Sequence, residues 1–161
     1  MSDVRTFRIH IEASQDAVWA ALTDPAQTER YGYRSPVDLE LRPGGKAHGL
    51  ANEGMKAFGA PDVVVEGEVV EVEEPRRLVQ TWRMLFDDTQ RGEPLTRLAY
   101  DVEALSPAVT RVTMTHDVTG APAHAALISG DVLEAGGGWP FVLSDLKSFL
   151  ETGSPMPSTM G

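Results

Sequence analysis

Residues 136–153, GGGWPFVLSDLKSFLETG, constrain the fold more than any other part of the chain. Trp139, Val142, Leu143, Leu146, Phe149 and Leu150 recur at spacings of three and four, so they share one helical face. Glycines precede this stretch, and Gly153 followed by Pro155 stops it. Nearly everything upstream alternates between apolar and polar residues, as strands do. A long helix with one apolar face must lie on the sheet those strands make. The space between helix and sheet is then where a ligand would sit.

Residues 4–12 set Phe7, Ile9 and Ile11 against Arg8, His10 and Glu12, which predicts a half-buried strand. Ser14 suits the N-cap of a short helix carrying Val18, Trp19 and Leu22. Asp24-Pro25 ends that helix, because the residue before proline avoids helical geometry. Residues 26–31 suit a second short helix. Further strands are expected at 37–41, with Val37, Leu39 and Leu41 inward, and more weakly at 46–50. Others are expected at 63–73, 78–86, 95–104 and 109–117. Residues 51–62 and 87–94 read as loops, and 123–128 as a helical turn beneath the last helix. Consecutive strands joined by short turns favour an antiparallel sheet, so the expected class is α+β.

A length of 161 residues fits one domain over 1–153 and a flexible tail over 154–161. The net charge of −10 argues against phosphate-tracking nucleic-acid binding and against docking on anionic lipid. The N-terminus has no apolar run behind its positive charges, and no stretch nears the roughly 20 apolar residues of a membrane span. Cysteine is absent, which excludes disulfides and thiolate chemistry and suits a cytoplasmic protein. His10, His48 and His124 show neither metal-ligand spacing nor a nearby carboxylate pattern, so no metal and no cofactor is expected.

Strand parity points a set of side chains toward the helix: Trp82 and Met84, then Leu98 and Tyr100, then Met114 and His116. They would face Trp139, Val142 and Leu143. His116 is either a polar group inside an apolar cavity, able to move a proton, or a satisfied structural histidine. Tyr100 either offers its hydroxyl to a ligand carbonyl or phenol, or packs in the core. Tyr31 and Tyr33 either gate the cavity or form a packed corner. His116 and Asp117 face opposite sides of their strand and make no dyad.

Several of these segments resemble a known family. VWAALTDPAQTERY (residues 18–31) is similar to the first helices of the SRPBCC proteins, which share the START-like helix-grip fold. More closely it resembles the subgroup named for activators of the heat-shock-protein ATPase. LRPGG, GEVVEVEEPRRLVQTW, TRVTMTHD and the final helix follow in that subgroup's order, so the resemblance covers roughly residues 5–153. Tyr31 and Tyr33 stand where members often carry a tryptophan pair. The resemblance implies a curved antiparallel sheet around a long C-terminal helix, with two short helices after the first strand. It implies three functional readings, in this order. The first is a small apolar or aromatic ligand held between sheet and helix by a monomer or homodimer. The second is a cyclase- or dehydratase-like enzyme using His116 and Tyr100. The third is a co-chaperone-like interaction module.

Overall fold

Alternation along the strands decides the sheet, and the helical stripe decides what covers it. A computed structural model describes residues 2–157. The chain runs β1 (Val4–Ile11), α1 (Gln15–Thr23), α2 (Pro25–Thr28), β2 (Val37–Leu39), β3 (Ala47–Leu50), α3 (Glu53–Ala57), β4 (Val63–Glu66) and β5 (Val69–Glu73). It continues through β6 (Arg77–Met84), α4 (Asp88–Gly92), β7 (Thr96–Ser106), β8 (Val109–Asp117), α5 (Pro122–Ser129) and α6 (Gly138–Thr152). A 3-10 turn, Leu133–Ala135, precedes α6. The strands form one open antiparallel sheet in the order β1-β8-β7-β6-β4-β3-β2, with β5 also on β6. This is the α+β helix-grip layout.

Register sets which side chains meet. Tyr100 lies opposite Leu78 on β6 and Met114 on β8, and Leu98 opposite Gln80 and His116. A slip of one residue would turn all of these to the other face. The central face is closed by α6, whose Leu143, Leu146 and Phe149 are buried against Ile11, Leu98, Val112 and Met114. Trp139, Val142 and Leu150 pack at its margin. Asp145 is also buried on this helix, because its carboxylate accepts from the amides of Gly32 and Met156, each at 2.7 Å. Those bonds hold the turn after α2 and the start of the C-terminal tail. Over 154–157 the tail is bonded to α6, the Ser154 carbonyl accepting from Ser148 Oγ at 3.1 Å. Residues 158–161 lie outside the described residues.

The structure corrects several local expectations. The strand expected over 63–73 is two strands, β4 and β5, laid on opposite ends of β6. Gly67 is the break: a Cβ there would stand 1.9 Å from the Thr81 carbonyl oxygen, a close approach that only glycine permits. Residues 51–62 and 87–94 are not plain loops but hold α3 and α4. Each is started by a side-chain cap: Asn52 accepts from Met55 N, and Asp87 from Gln90 N, both at 2.8 Å. The turn expected at 123–128 is a two-turn helix, α5, with His124, Ala125 and Ile128 buried. Leu41 lies beyond β2 and is exposed rather than inward.

Leu146 is fully buried at the centre of the α6 stripe. Leu146→Asp is expected to unfold or aggregate the protein. An unpaired buried carboxylate costs several kcal/mol, on the scale of the roughly 5–15 kcal/mol that holds a domain together. Circular dichroism melting checks this, and a near wild-type Tm would contradict it.

Candidate ligand-binding site

Between the curved sheet and α6 the side chains do not fill the space. Two lobes result, of about 170 and 320 Å³. They share a wall made by Tyr33, Ser35, Val65, Trp82 and Trp139. The first lobe runs under α1, α2 and β2 and is bordered by Tyr31, Gln80, Tyr100, Met114, Val142 and Leu143. The second runs toward α4 and α5 and is bordered by Met84, Phe86 and Leu127. Of the nine residues placed here by strand parity and helical stripe, seven border a lobe, as do Tyr31 and Tyr33. The other two, Leu98 and His116, are wholly buried behind it.

His116 is held in a chain of hydrogen bonds. The Trp139 indole N–H donates to its Nδ1 at 3.0 Å. The ring therefore carries its proton on Nε2, which donates to Thr96 Oγ1 at 2.7 Å, and that hydroxyl donates to the Trp82 carbonyl at 2.8 Å. Burial, with the neighbouring His124 adding to it and Asp117 opposing, drives the His116 pKa down to about 3. The ring is a neutral structural element, with neither nitrogen free for a ligand.

A second buried histidine stands beside it. His124 Nε2 accepts from the Met84 amide at 2.9 Å, so its proton is on Nδ1, which donates to Glu93 Oε1 at 2.6 Å. This corrects the sequence reading that His124 has no carboxylate near it. The partner lies on the segment after α4, thirty-one residues away in the chain, where no spacing rule would find it. Glu93 also accepts from the Ala123 and His124 amides at the start of α5. Burial pushes its carboxyl pKa up, but the Ala123 amide and His124 outweigh this and hold it below the usual range. The Trp82 ring meets both imidazoles edge-on, at centroid distances of 5.0 and 5.7 Å.

The two tyrosines of the mouth differ. Tyr31 is buried, stacks on Phe149 at 5.5 Å and donates to Ala21 O at 2.7 Å. Tyr33 borders both lobes, donates to Ala135 O and accepts from Gly138 N. It thereby ties the mouth to the first turn of α6. Gly138 is required there, since a Cβ would meet the Ile128 carbonyl oxygen at 2.3 Å. Arg34, next to Tyr33, is exposed at the rim with a left-handed φ of 58°. The Asn52 amide bonds the Tyr33 carbonyl at 3.1 Å and so sets α3 across the same mouth. Gln80 is buried at the cavity face, and sequence reading passed over it. Its parity with Trp82 and Met84 was the available signal.

A cavity with apolar walls under the C-terminal helix of an open antiparallel sheet defines a helix-grip protein of the SRPBCC type. The family model described as activator of Hsp90 ATPase homolog 1-like protein matches residues 12–151, and the chain belongs to that family. CalU16 from Micromonospora echinospora has a similar structure, with 23% identity over 99% of this chain and 80% of that one, and a TM-score of 0.67. DynU16, from the dynemicin biosynthetic locus, shares 25% identity over 95% of this chain and 49% of its own length, at a TM-score of 0.67. An Hsp90 activator from Plasmodium falciparum shares 18% identity over 94% of this chain and 89% of that one, at a TM-score of 0.54. No curated protein matches the chain. Among the described residues no helix is long and apolar enough to cross a membrane.

The His116 environment predicts an acid limb of stability. Its folded pKa of about 3 lies below the ordinary 6.5, so the unfolded chain binds the proton more readily. Stability is therefore full above pH ~6.5 and falls as pH drops toward 3, by up to about 4–5 kcal/mol from this group. His116→Gln, which keeps an acceptor for Trp139 and a donor for Thr96, should flatten that limb. Urea unfolding at pH 7 and pH 4 measures it, and an unchanged pH dependence would contradict the assignment.

Proposed function

We propose that this protein binds a small apolar or aromatic molecule in the cavity between the sheet and α6. The observation that carries this reading is the pair of lobes walled by Trp82, Trp139, Val65, Met114 and Leu143, which core packing leaves unfilled. Ligand sites are concave and mostly apolar, with a few convergent polar groups. Burial of flat hydrocarbon here supplies the driving force, at roughly 25 cal/mol per Å² removed from water. Tyr33 and α3 frame the entrance, and the neutral His116 chain keeps the wall behind Trp82 and Trp139 rigid.

A catalytic use of the same cavity is supported by the likeness to DynU16 of a biosynthetic locus. In that reading the group meeting the substrate is Tyr100 rather than His116. His116 has both nitrogens engaged and borders neither lobe. Burial raises the Tyr100 pKa, which keeps its hydroxyl protonated and able to donate. The likeness to the Hsp90 activator lies at the level of fold.

Thermal denaturation against flavonoid-, polyketide- and fatty-acid-like compounds tests the binding reading. A true ligand at ~100 times its Kd stabilises by about 2.7 kcal/mol, a shift of several degrees for a chain of this length. Val142→Phe, which narrows the first lobe, should abolish the shift while the protein stays folded. No shift with any compound, or an undiminished shift in Val142→Phe, would count against the first lobe as the site.

A further inference from the structure

The polar atoms around the first lobe fall into two sets. Most are spent inside the fold. The hydroxyls of Tyr31, Tyr33 and Ser35 donate to the carbonyls of Ala21, Ala135 and Leu50, and the Trp139 indole N–H is taken by His116. Besides the Arg34 guanidinium and the His48 imidazole, which also border the lobe without a hydrogen-bond partner among the described residues, three groups are not spent. The Tyr100 hydroxyl and the Trp82 indole N–H have no hydrogen-bond partner among the described residues. The Gln80 amide has only a 3.4 Å contact from Nε2 to the Thr81 carbonyl, beyond the usual N–H···O range. Among the described residues, Arg111 Nε alone is both sealed in protein and unpartnered. The free atoms of Gln80, Trp82 and Tyr100 are therefore not sealed, and all three residues border the lobe.

Their placement is fixed by register. Gln80 and Trp82 are two residues apart on one face of β6, roughly 7 Å along the strand. Gln80 pairs with Leu98 and Leu78 with Tyr100, so Tyr100 stands diagonally from Gln80 on the same face. Diagonal neighbours lie about 7–8 Å apart at the backbone, within reach of long side chains. The trio offers two pure or preferred donors and one amide that both donates and accepts. Fixed charge is nearly missing: among the described residues, Arg34, exposed at the rim, is the one permanently charged residue bordering either lobe. An ionised ligand seated within the lobe would be stripped of water with only Arg34, at the exposed rim, as a fixed counter-ion, which is costly. A neutral carbonyl would find donors already desolvated and waiting.

We propose that Gln80 and Tyr100, with Trp82 next along the same face, make the first lobe selective for uncharged aromatic ketones, whose carbonyl oxygen accepts hydrogen bonds from the Gln80 amide and the Tyr100 hydroxyl. The inference rests on the cavity reading above and narrows it to a ligand class. Burial holds the Tyr100 hydroxyl protonated, so it remains a donor across the neutral range. The Gln80 amide, with an acceptor oxygen as well, suits a ketone that also carries a hydroxyl.

The test uses three compounds built on the diphenylmethane core: benzophenone, diphenylmethane and diphenylacetate. Isothermal titration gives the Kd of each for the wild type, for Tyr100→Phe and for the double variant Gln80→Met/Tyr100→Phe. The quantity read is the ratio of the ketone's Kd to the hydrocarbon's. Both are measured on the same preparation, so a partly unfolded variant does not bias the ratio. It should rise about tenfold in the double variant, the worth of one to two net hydrogen bonds. The carbonyl stretch of bound benzophenone should lie at lower frequency in the wild type than in the double variant. An unchanged ratio and stretch would overturn the proposal while leaving the cavity as a ligand site. Tightest binding by diphenylacetate would overturn it too, by placing an anion on Arg34. If none of the three binds, the cavity reading falls and this proposal with it.

Discussion

The bond from the Trp139 indole to His116 Nδ1 is the interaction on which the rest of the site depends. It joins the helix to the sheet through a polar contact in the buried interior. Because the indole can only donate, His116 must accept at Nδ1 and carry its proton on Nε2. That proton passes the constraint to Thr96, and Thr96 passes it to the carbonyl of Trp82. One run of bonds therefore crosses from α6 through β8 and β7 to β6. Inside a low-dielectric core such a chain is stronger than its members taken singly, and leaving any one unpaired is expensive. The consequence for the cavity is that both tryptophans bordering it are held in place from behind.

Much of the architecture was legible in the sequence because it is written in periodicity. The stripe from Trp139 to Leu150 and the alternation of β1, β7 and β8 translate directly into a helix on an antiparallel sheet. Strand parity and the helical stripe then carried seven side chains to the cavity. Leu98 and His116 share that parity but are wholly covered, His116 by the rings of Trp82 and Trp139. The features that periodicity missed have other causes. The five-residue helices α3 and α4 are too short to show a stripe and are made by the caps Asn52 and Asp87. Gly67 splits a run of β-formers because a backbone passes too close for any side chain. Glu93 reaches His124 across a long stretch of chain, and Asp145 is a charged residue on a helix face that the sequence marks as polar. Neither pair of partners can be read without knowing which segments the fold brings together.

Asp145 shows how a buried charge organises irregular structure. Its two oxygens take amides from the turn after α2 and from the tail beyond α6, so segments without regular partners acquire them at one carboxylate. The turn it holds carries Tyr31, Tyr33 and Arg34, the residues of the cavity mouth. The entrance is thus positioned from the helix, as the rear wall is, and the sheet contributes the floor. Family membership fixes this frame. On its floor this chain leaves polar atoms of Gln80, Trp82 and Tyr100 unsatisfied.

Trp82 and Trp139 have a consequence beyond packing. Their rings lie 5.6 Å apart and both border the two lobes, while the third tryptophan of the chain, Trp19, is buried on α1 away from them. Two indoles at that separation couple electronically, and each looks onto the space a guest would fill. Filling the cavity changes the polarisability around two of the three chromophores and leaves the third as an internal reference. The protein's own ultraviolet absorption and emission thus carry a built-in record of whether the cavity is empty or full.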